Sequence, residues 1–191
     1  PEPKTIVFLA GETRVAESLT RPLEFIKANI DDPAEFVMEN VTEHDHFVLI
    51  STAGALFDGN TTVGNDTRIN PKNFYGASKA AEELILQKLV EAQGATYSVI
   101  RMTNVYGLYS EKKKSAVHAF VRAALTNKTV TINGDGKQSR DFIFSRDVAS
   151  GILTHAYRFL NNKQHDTINT IGYGTSVNLW DIISIIELHT G

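Results

Sequence analysis

No cysteine occurs among the 191 residues, which excludes disulfides and thiolate catalysis and allows a cytosolic, that is cytoplasmic, setting. No apolar run approaches the ~18 residues of a membrane span, so no membrane contact is expected. No Gly-x-Gly-x-x-Gly follows a strand-like run. Gly134-Asp-Gly136 is a tight turn only, and no P-loop is present. Neither sign of charge dominates: a net charge of -3 at pH 7 makes no electrostatic case for nucleic acid. What is there is ordinary for a globular chain, 42% hydrophobic and 21% charged, and long enough for one sizeable core with a small lobe attached.

Short β-branched and apolar runs mark buried parallel strands at Thr5–Ala10, His46–Ser51 and Thr96–Met102. Pro22 to about His44 has the pattern of a helix, with Pro33 placed to break or kink it. Residues 53–73, rich in Gly, Asn and Pro, form a loop. Further on, helices are predicted over Ser115–Leu125, Asp147–Leu160 and Val177–Leu188, and a strand over Thr167–Ile171. Thr129–Ile132 and Asp141–Phe144 look like two short strands around the Gly134-Asp-Gly136 turn. Strands alternating with helices predict an α/β fold, with a parallel sheet covered on both faces.

The most informative segment is Tyr75-Gly-Ala-Ser-Lys79. It heads a helical run ended by Gly94, with Ala80, Ala81, Leu84, Ile85 and Leu89 assigned to the apolar side and Glu82, Glu83, Gln87, Lys88 and Glu91 to the outside. Residues four apart share a helix face, so Lys79 is expected beside Tyr75. An ammonium near a phenol favours the phenolate and lowers its pKa toward neutrality. The product is a general base able to take a proton from an alcohol while hydride leaves the same carbon.

Outward from that segment, several blocks occur in register: Leu9–Ser18 with Pro22 and Asn29, Ile50–Phe57, Asn70-Pro71 before Tyr75, Arg101–Gly107, Ile132–Phe142 with Asp147-Val-Ala149, and Ile171-Gly172. Together they resemble the extended short-chain dehydrogenase/reductase family, in its NAD-dependent nucleotide-sugar epimerase/dehydratase branch, over nearly the whole chain. The resemblance implies a Rossmann-like parallel sheet with flanking helices, truncated at its N-terminal side, plus part of a substrate lobe. It divides the chain into residues 1–106 and 142–173, a partial NAD(P)-binding domain, and residues 107–141 and 174–191, a partial substrate lobe. It also accounts for the missing glycines: the family's dinucleotide fingerprint lies in the first βα turn, roughly 60 residues ahead of the strand that opens this sequence.

Residue by residue, the resemblance makes Tyr75 the general base. It makes Lys79 the partner that binds the nicotinamide ribose and depresses the tyrosine pKa. Ala10, Gly11, Asn29, Ser51 and Thr103 are carried over as further cofactor contacts, and Asn104 and Arg140 as ligands of the substrate diphosphate. Arginine suits the last task through its bidentate fork. The family's third catalytic group is a Ser/Thr hydroxyl three positions before a Val-Tyr-Gly. If Leu56-Phe57-Asp58 replaces that tripeptide, Ala53 falls in its place. Thr52, one residue earlier, is taken as the catalytic hydroxyl, with no such hydroxyl as the alternative. The Thr-Asp-Glu signature of the 4,6-dehydratases is absent, since Ala53 and Gly54 follow Thr52. That favours epimerisation or simple redox over loss of water.

The expected function is therefore an NAD-dependent nucleotide-sugar epimerase, with NADP as an alternative cofactor and a homodimer implied by the resemblance. Two alternatives remain: a non-catalytic remnant serving in binding or assembly, and a dehydratase or reductase of the same family. His44-x-His46 lacks a third ligand, and His118, His155, His165 and His189 are scattered, so no metal site is expected. Lys112-Lys-Lys114 is read as a solvated loop.

Overall fold

The computed structural model describes residues 2–57, 62–110, 115–162 and 166–190, with Asn162 described by its backbone alone. Asp58, Lys112–Lys114 and His165, named above, lie outside the described residues. In chain order the elements are β1 (Thr5–Phe8), α1 (Val15–Ser18), α2 (Pro22–Ile26), a π-helical turn (Lys27–Asp31), α3 (Asp32–Asn40), β2 (His46–Thr52), α4 (Phe74–Ala92), β3 (Thr96–Met102), β4 (Asn104–Tyr106), α5 (Ala116–Leu125), β5 (Ser139–Phe144), α6 (Ser145–Asn162), β6 (Ile168–Ile171), β7 (Ser176–Asn178) and α7 (Leu179–Thr190). They divide into two compact units, Pro1–Met102 with Gly151–Ile171 and Thr103–Ser150 with Gly172–Gly191.

The first unit is built on a parallel sheet in the order β1-β2-β3-β6, with His46 paired to Thr5 and to Thr96, and Val99 to Ile168. Side chains alternate across a strand. Phe47 and Leu49 therefore face one way, into a core with Val37, Val41, Leu86, Val90, Tyr97 and Val99 under α3 and α4. His46 faces the other way and stacks on Phe159 of α6 with ring centroids 3.8 Å apart. Because both faces are covered, β2 is an unbroken apolar run rather than an alternating one.

The second unit holds a three-stranded sheet, β4-β5-β7, with β4 parallel and β7 antiparallel to β5. Its core is Phe120, Leu179 and Ile182, with Val130, Ile132 and Phe142 packed against them. Among the described residues, no helix is long and apolar enough to cross a membrane.

Four local expectations change. The Pro22–His44 helix is two helices joined by a π turn that ends just before Pro33. Proline cannot donate to the carbonyl four residues back, and its ring crowds that carbonyl, so the backbone widens there. The helix then stops at Asn40, and Asp45 accepts from the backbone N–H groups of Thr42 and Lys4. Thr129–Ile132 is not a strand, because β5 pairs with β4 on one side and β7 on the other. The last helix, expected from Val177, begins at Leu179, because Ser176–Asn178 is the strand β7. Finally, α4 is rotated from its expected facing. Glu82 and Glu83 are buried at 0% and 5% exposure while Leu84 is 61% exposed; buried cations on the inner side, described next, make this tolerable.

Candidate active site

The carboxyl ends of β1, β2 and β3 lie at one edge of their parallel sheet, and α4 starts there. Asn73 caps it, its side-chain oxygen accepting from Gly76 N at 2.9 Å. Gly76 lets the helix approach the turn after β2: a Cβ at that position would stand 2.1 Å from the carbonyl oxygen of Ala55. This close approach presses Tyr75 into a cluster with Phe25 and Ala55, edge-on to Phe25 at 6.5 Å. The ring is 8% exposed.

Thr52, the last residue of β2, is near enough to the Tyr75 phenol to act on its ionisation. Burial pushes the phenol up to about 12; Thr52, donating to the phenolate, pulls it down, and the Glu82 carboxylate pushes it up again. The expected depression by Lys79 is therefore reversed. The lysine ammonium is engaged elsewhere: it donates to the Ile50 carbonyl at 3.1 Å and pairs with Glu82 one turn further along α4. Burial pushes the Glu82 carboxyl up to about 7 even though Lys79 pulls it down. Shared helix face did hold, since Tyr75 and Lys79 are both buried on the inner side of α4. What the spacing could not convey was a competing anion three residues on.

Asn29 sits in the π turn, fully buried. Its amide nitrogen donates to the Glu12 carbonyl at 3.1 Å and to Ser78 Oγ at 3.0 Å, and its oxygen accepts from Glu12 N at 2.8 Å. Ser78 in turn donates to the Tyr75 carbonyl at 2.8 Å. Asn29 thus ties the loop after β1 to the helix that carries Tyr75. Ala10 and Gly11 are exposed in that loop, and Gly11 has a φ of 141°, with a Cβ there only 2.8 Å from Asn29 Oδ1. Ser51 is buried, and its hydroxyl has no hydrogen-bond partner among the described residues.

Residues 1–172 match the NAD dependent epimerase/dehydratase family. The chain belongs to that family. It is similar to a putative UDP-glucose 4-epimerase of Methanocaldococcus jannaschii, 35% identical over 146 residues, covering 73% of this chain and 46% of that protein. It is also similar to a UDP-glucuronate 4-epimerase of Thermodesulfobacterium geofontis, 26% identical over 184 residues, covering 95% of this chain and 55% of that one. Among solved structures, UDP-glucose 4-epimerase from Thermotoga maritima with UDP-glucose superposes with a TM-score of 0.84 at 26% identity, covering 98% of this chain and 61% of that one. UDP-glucuronic acid 4-epimerase from Bacillus cereus, in complex with UDP-glucuronic acid and NAD, also gives 0.84, at 25% identity over 96% of this chain and 58% of that one. The chain spans about half the length of the curated relatives it matches.

In this epimerase/dehydratase chain the second unit holds the other expected residues. Asn104 donates to the Asp141 carbonyl at 3.0 Å, and Thr103 to the Asp141 carboxylate at 3.2 Å. Arg140 is exposed and donates to the Ser139 carbonyl at 2.7 Å. Asp141 also accepts from the backbone of Tyr173 and Gly174, so it anchors the turn after β6, a role its sequence position did not reveal. His46 is bonded to Thr96 at 2.8 Å and to His155 at 3.3 Å, and His44 pairs with Glu43 at the surface.

Sequence reasoning also missed a buried scaffold in this family member. Arg101 of β3 grips Glu83 of α4 through three contacts of 2.7–3.2 Å, and Tyr97 donates to the Glu83 carbonyl at 3.1 Å. An arginine within a strand otherwise read as apolar was the available signal: a buried guanidinium requires an anion.

Proposed function

We propose that this chain carries the reaction centre of an NAD-dependent nucleotide-sugar epimerase. The observation that carries the reading is that Tyr75, on the buried face of α4, comes together with Thr52 at the carboxyl end of a parallel sheet, where open α/β folds take their ligands. Tyr75 exchanges a proton with a sugar hydroxyl, and Thr52 supplies the second hydrogen bond to the same oxygen. A phenol pushed up to about 12 rests protonated, which suits the half of the cycle that returns a proton to the ketone oxygen. NAD, when bound, would supply a reversible hydride acceptor, and Tyr75 and Thr52 would hold the oxygen of the reacting carbon.

The residues present fit the nicotinamide and its ribose. Ser51 offers a buried hydroxyl with no partner among the described residues, Lys79 on α4 reaches the carbonyl of the preceding Ile50, and Ala10 and Gly11 leave the loop after β1 without bulk. Asn29, with both N–H donors engaged by protein, holds that loop and is assigned to positioning. We assign the first unit to the cofactor, and Arg140 and Asn104 of the second to the nucleotide diphosphate; Thr103 is kept as a cofactor contact by family resemblance alone. Ala53 and Gly54 put no acid beside Thr52, which supports epimerisation over dehydration. A homodimer through α4, on which Leu84 and Ile85 are exposed, and a cytoplasmic setting complete the reading by family resemblance.

One observation favours a second reading, a non-catalytic binding module: Lys79 is already paired with Glu82. Titration of the chain with NADH, followed by its fluorescence, and with UDP-sugars, followed by calorimetry, separates the two. Binding of both ligands supports the epimerase, and binding of neither supports the module.

A further inference from the structure

Two adjacent carboxylates, Glu82 and Glu83, are buried on α4, and they are matched unequally. Glu83 has Arg101 on both its oxygens. Glu82, with 0% exposure, meets the Lys79 ammonium through Oε2, and Oε1 has no hydrogen-bond partner among the described residues. Lys79 and Glu82 lie one turn apart, and Tyr75 one turn before Lys79, so the three form a stripe along one helix face. The other titratable groups coupled to Glu82 are Glu83 on the same helix, Tyr97 on β3 and Tyr75 itself.

We infer that Glu82 is a positioning residue for the Tyr75–Lys79 pair: it holds the lysine ammonium against itself and the Ile50 carbonyl, and so withholds that charge from the phenol. The inference deepens the proposed function and rests on its assignment of Tyr75 and Lys79. A buried ion pair is nearly charge-neutral to a third group, whereas an unpaired ammonium favours a neighbouring phenolate. Protonating Glu82 releases Lys79 toward Tyr75, and ionising it takes the charge back. Glu82 also raises the phenol directly, as one anion beside another, so the part that acts through Lys79 is read by comparing variants with and without the lysine. No proton or electron is lost in this exchange, since Glu82 only takes up or releases a solvent proton.

The test is a carbon-13 NMR titration of ring-labelled tyrosine in the full 191-residue chain, with Tyr75 assigned by its loss in Tyr75→Phe. In the wild type the Tyr75 ring carbon keeps its protonated shift to about pH 11. In Glu82→Gln it titrates at least tenfold more readily, its midpoint falling by about one unit or more. In Glu82→Gln combined with Lys79→Met the fall is smaller, reduced to what loss of the anion alone gives, and Glu82→Asp keeps the wild-type behaviour. Should Glu82→Gln fail to fold by circular dichroism, Glu82→Leu, which removes the unpaired oxygen altogether, takes its place with the same expected result. A Tyr75 midpoint unmoved by loss of the Glu82 charge overturns the inference. So does an equal fall with and without Lys79, which would be simple repulsion between anions. The titration needs neither cofactor nor substrate. Coupling without NADH or UDP-sugar binding therefore sinks the proposed function alone, and turnover without coupling sinks only the role of Glu82.

Discussion

The hydroxyl of Thr52, at the end of β2, acts on the phenol of Tyr75, the second residue of α4, and favours its ionised form. Strand and helix meet there because Gly76 permits backbone contact with Ala55. Gapless comparison with the family pattern puts Ala53 at the hydroxyl position, but Ala53 is buried and its N–H is taken by the Met102 carbonyl at 2.7 Å.

Replacing Thr52 by valine keeps the shape and removes the donor. Epimerisation should fall about 10²-fold, and the Tyr75 phenol should become still harder to ionise, because Thr52 acts to lower its pKa. Thr52→Ser should retain most of the rate. Initial rates on UDP-sugars for the two variants check this.

Gly76→Ala should destabilise the chain by about 3 kcal/mol or more, because the added Cβ meets a backbone oxygen that cannot swing aside. Gly54→Ala, with nothing within 4 Å of the new Cβ, should be close to neutral. Urea denaturation midpoints for the pair make the comparison.

Arg101→Met leaves Glu83 buried without its cation and should cost on the order of 3–5 kcal/mol. Arg101→Met with Glu83→Leu should recover much of that loss, since neither charge then remains to be solvated. A double-mutant cycle by chemical denaturation measures the recovery.

Stability should also carry the signature of Glu82. Its carboxyl moves from an ordinary 4.5 to about 7 in the folded chain, so between those values the native state holds more protons than the unfolded one. Stability from this group is full below about pH 4.5 and is lost as pH rises through about 7, by on the order of 3 kcal/mol. Urea midpoints at about pH 5 and pH 8 should separate more in the wild type than in Glu82→Gln.

How far the sequence was legible follows from the range of each interaction. The Tyr75–Lys79 spacing and the strand runs are local patterns, and the helix and parallel sheet appear where those patterns put them. The facing of α4 was misjudged because Glu82 and Glu83 look like surface residues until Lys79 and Arg101 are brought against them, and the Arg101 contact spans 18 residues. Likewise the Asn29 brace reaches 49 residues to Ser78. Thr129–Ile132 has strand composition but no partner strand among the described residues, and pairing is not a property of one segment. The link from Asp141 to the turn at Tyr173 crosses 32 residues.

The most direct test of the central claim is conversion of UDP-sugars to their epimers by this chain with NAD, followed by proton NMR, in wild type and in Tyr75→Phe. The account predicts epimer from at least one UDP-sugar with the wild type, and a rate lower by about 10²-fold or more with the phenylalanine variant while the thermal unfolding midpoint stays within a few degrees. Equal rates from both proteins, or no epimer from a wild type that binds NADH and UDP-sugar, would contradict it.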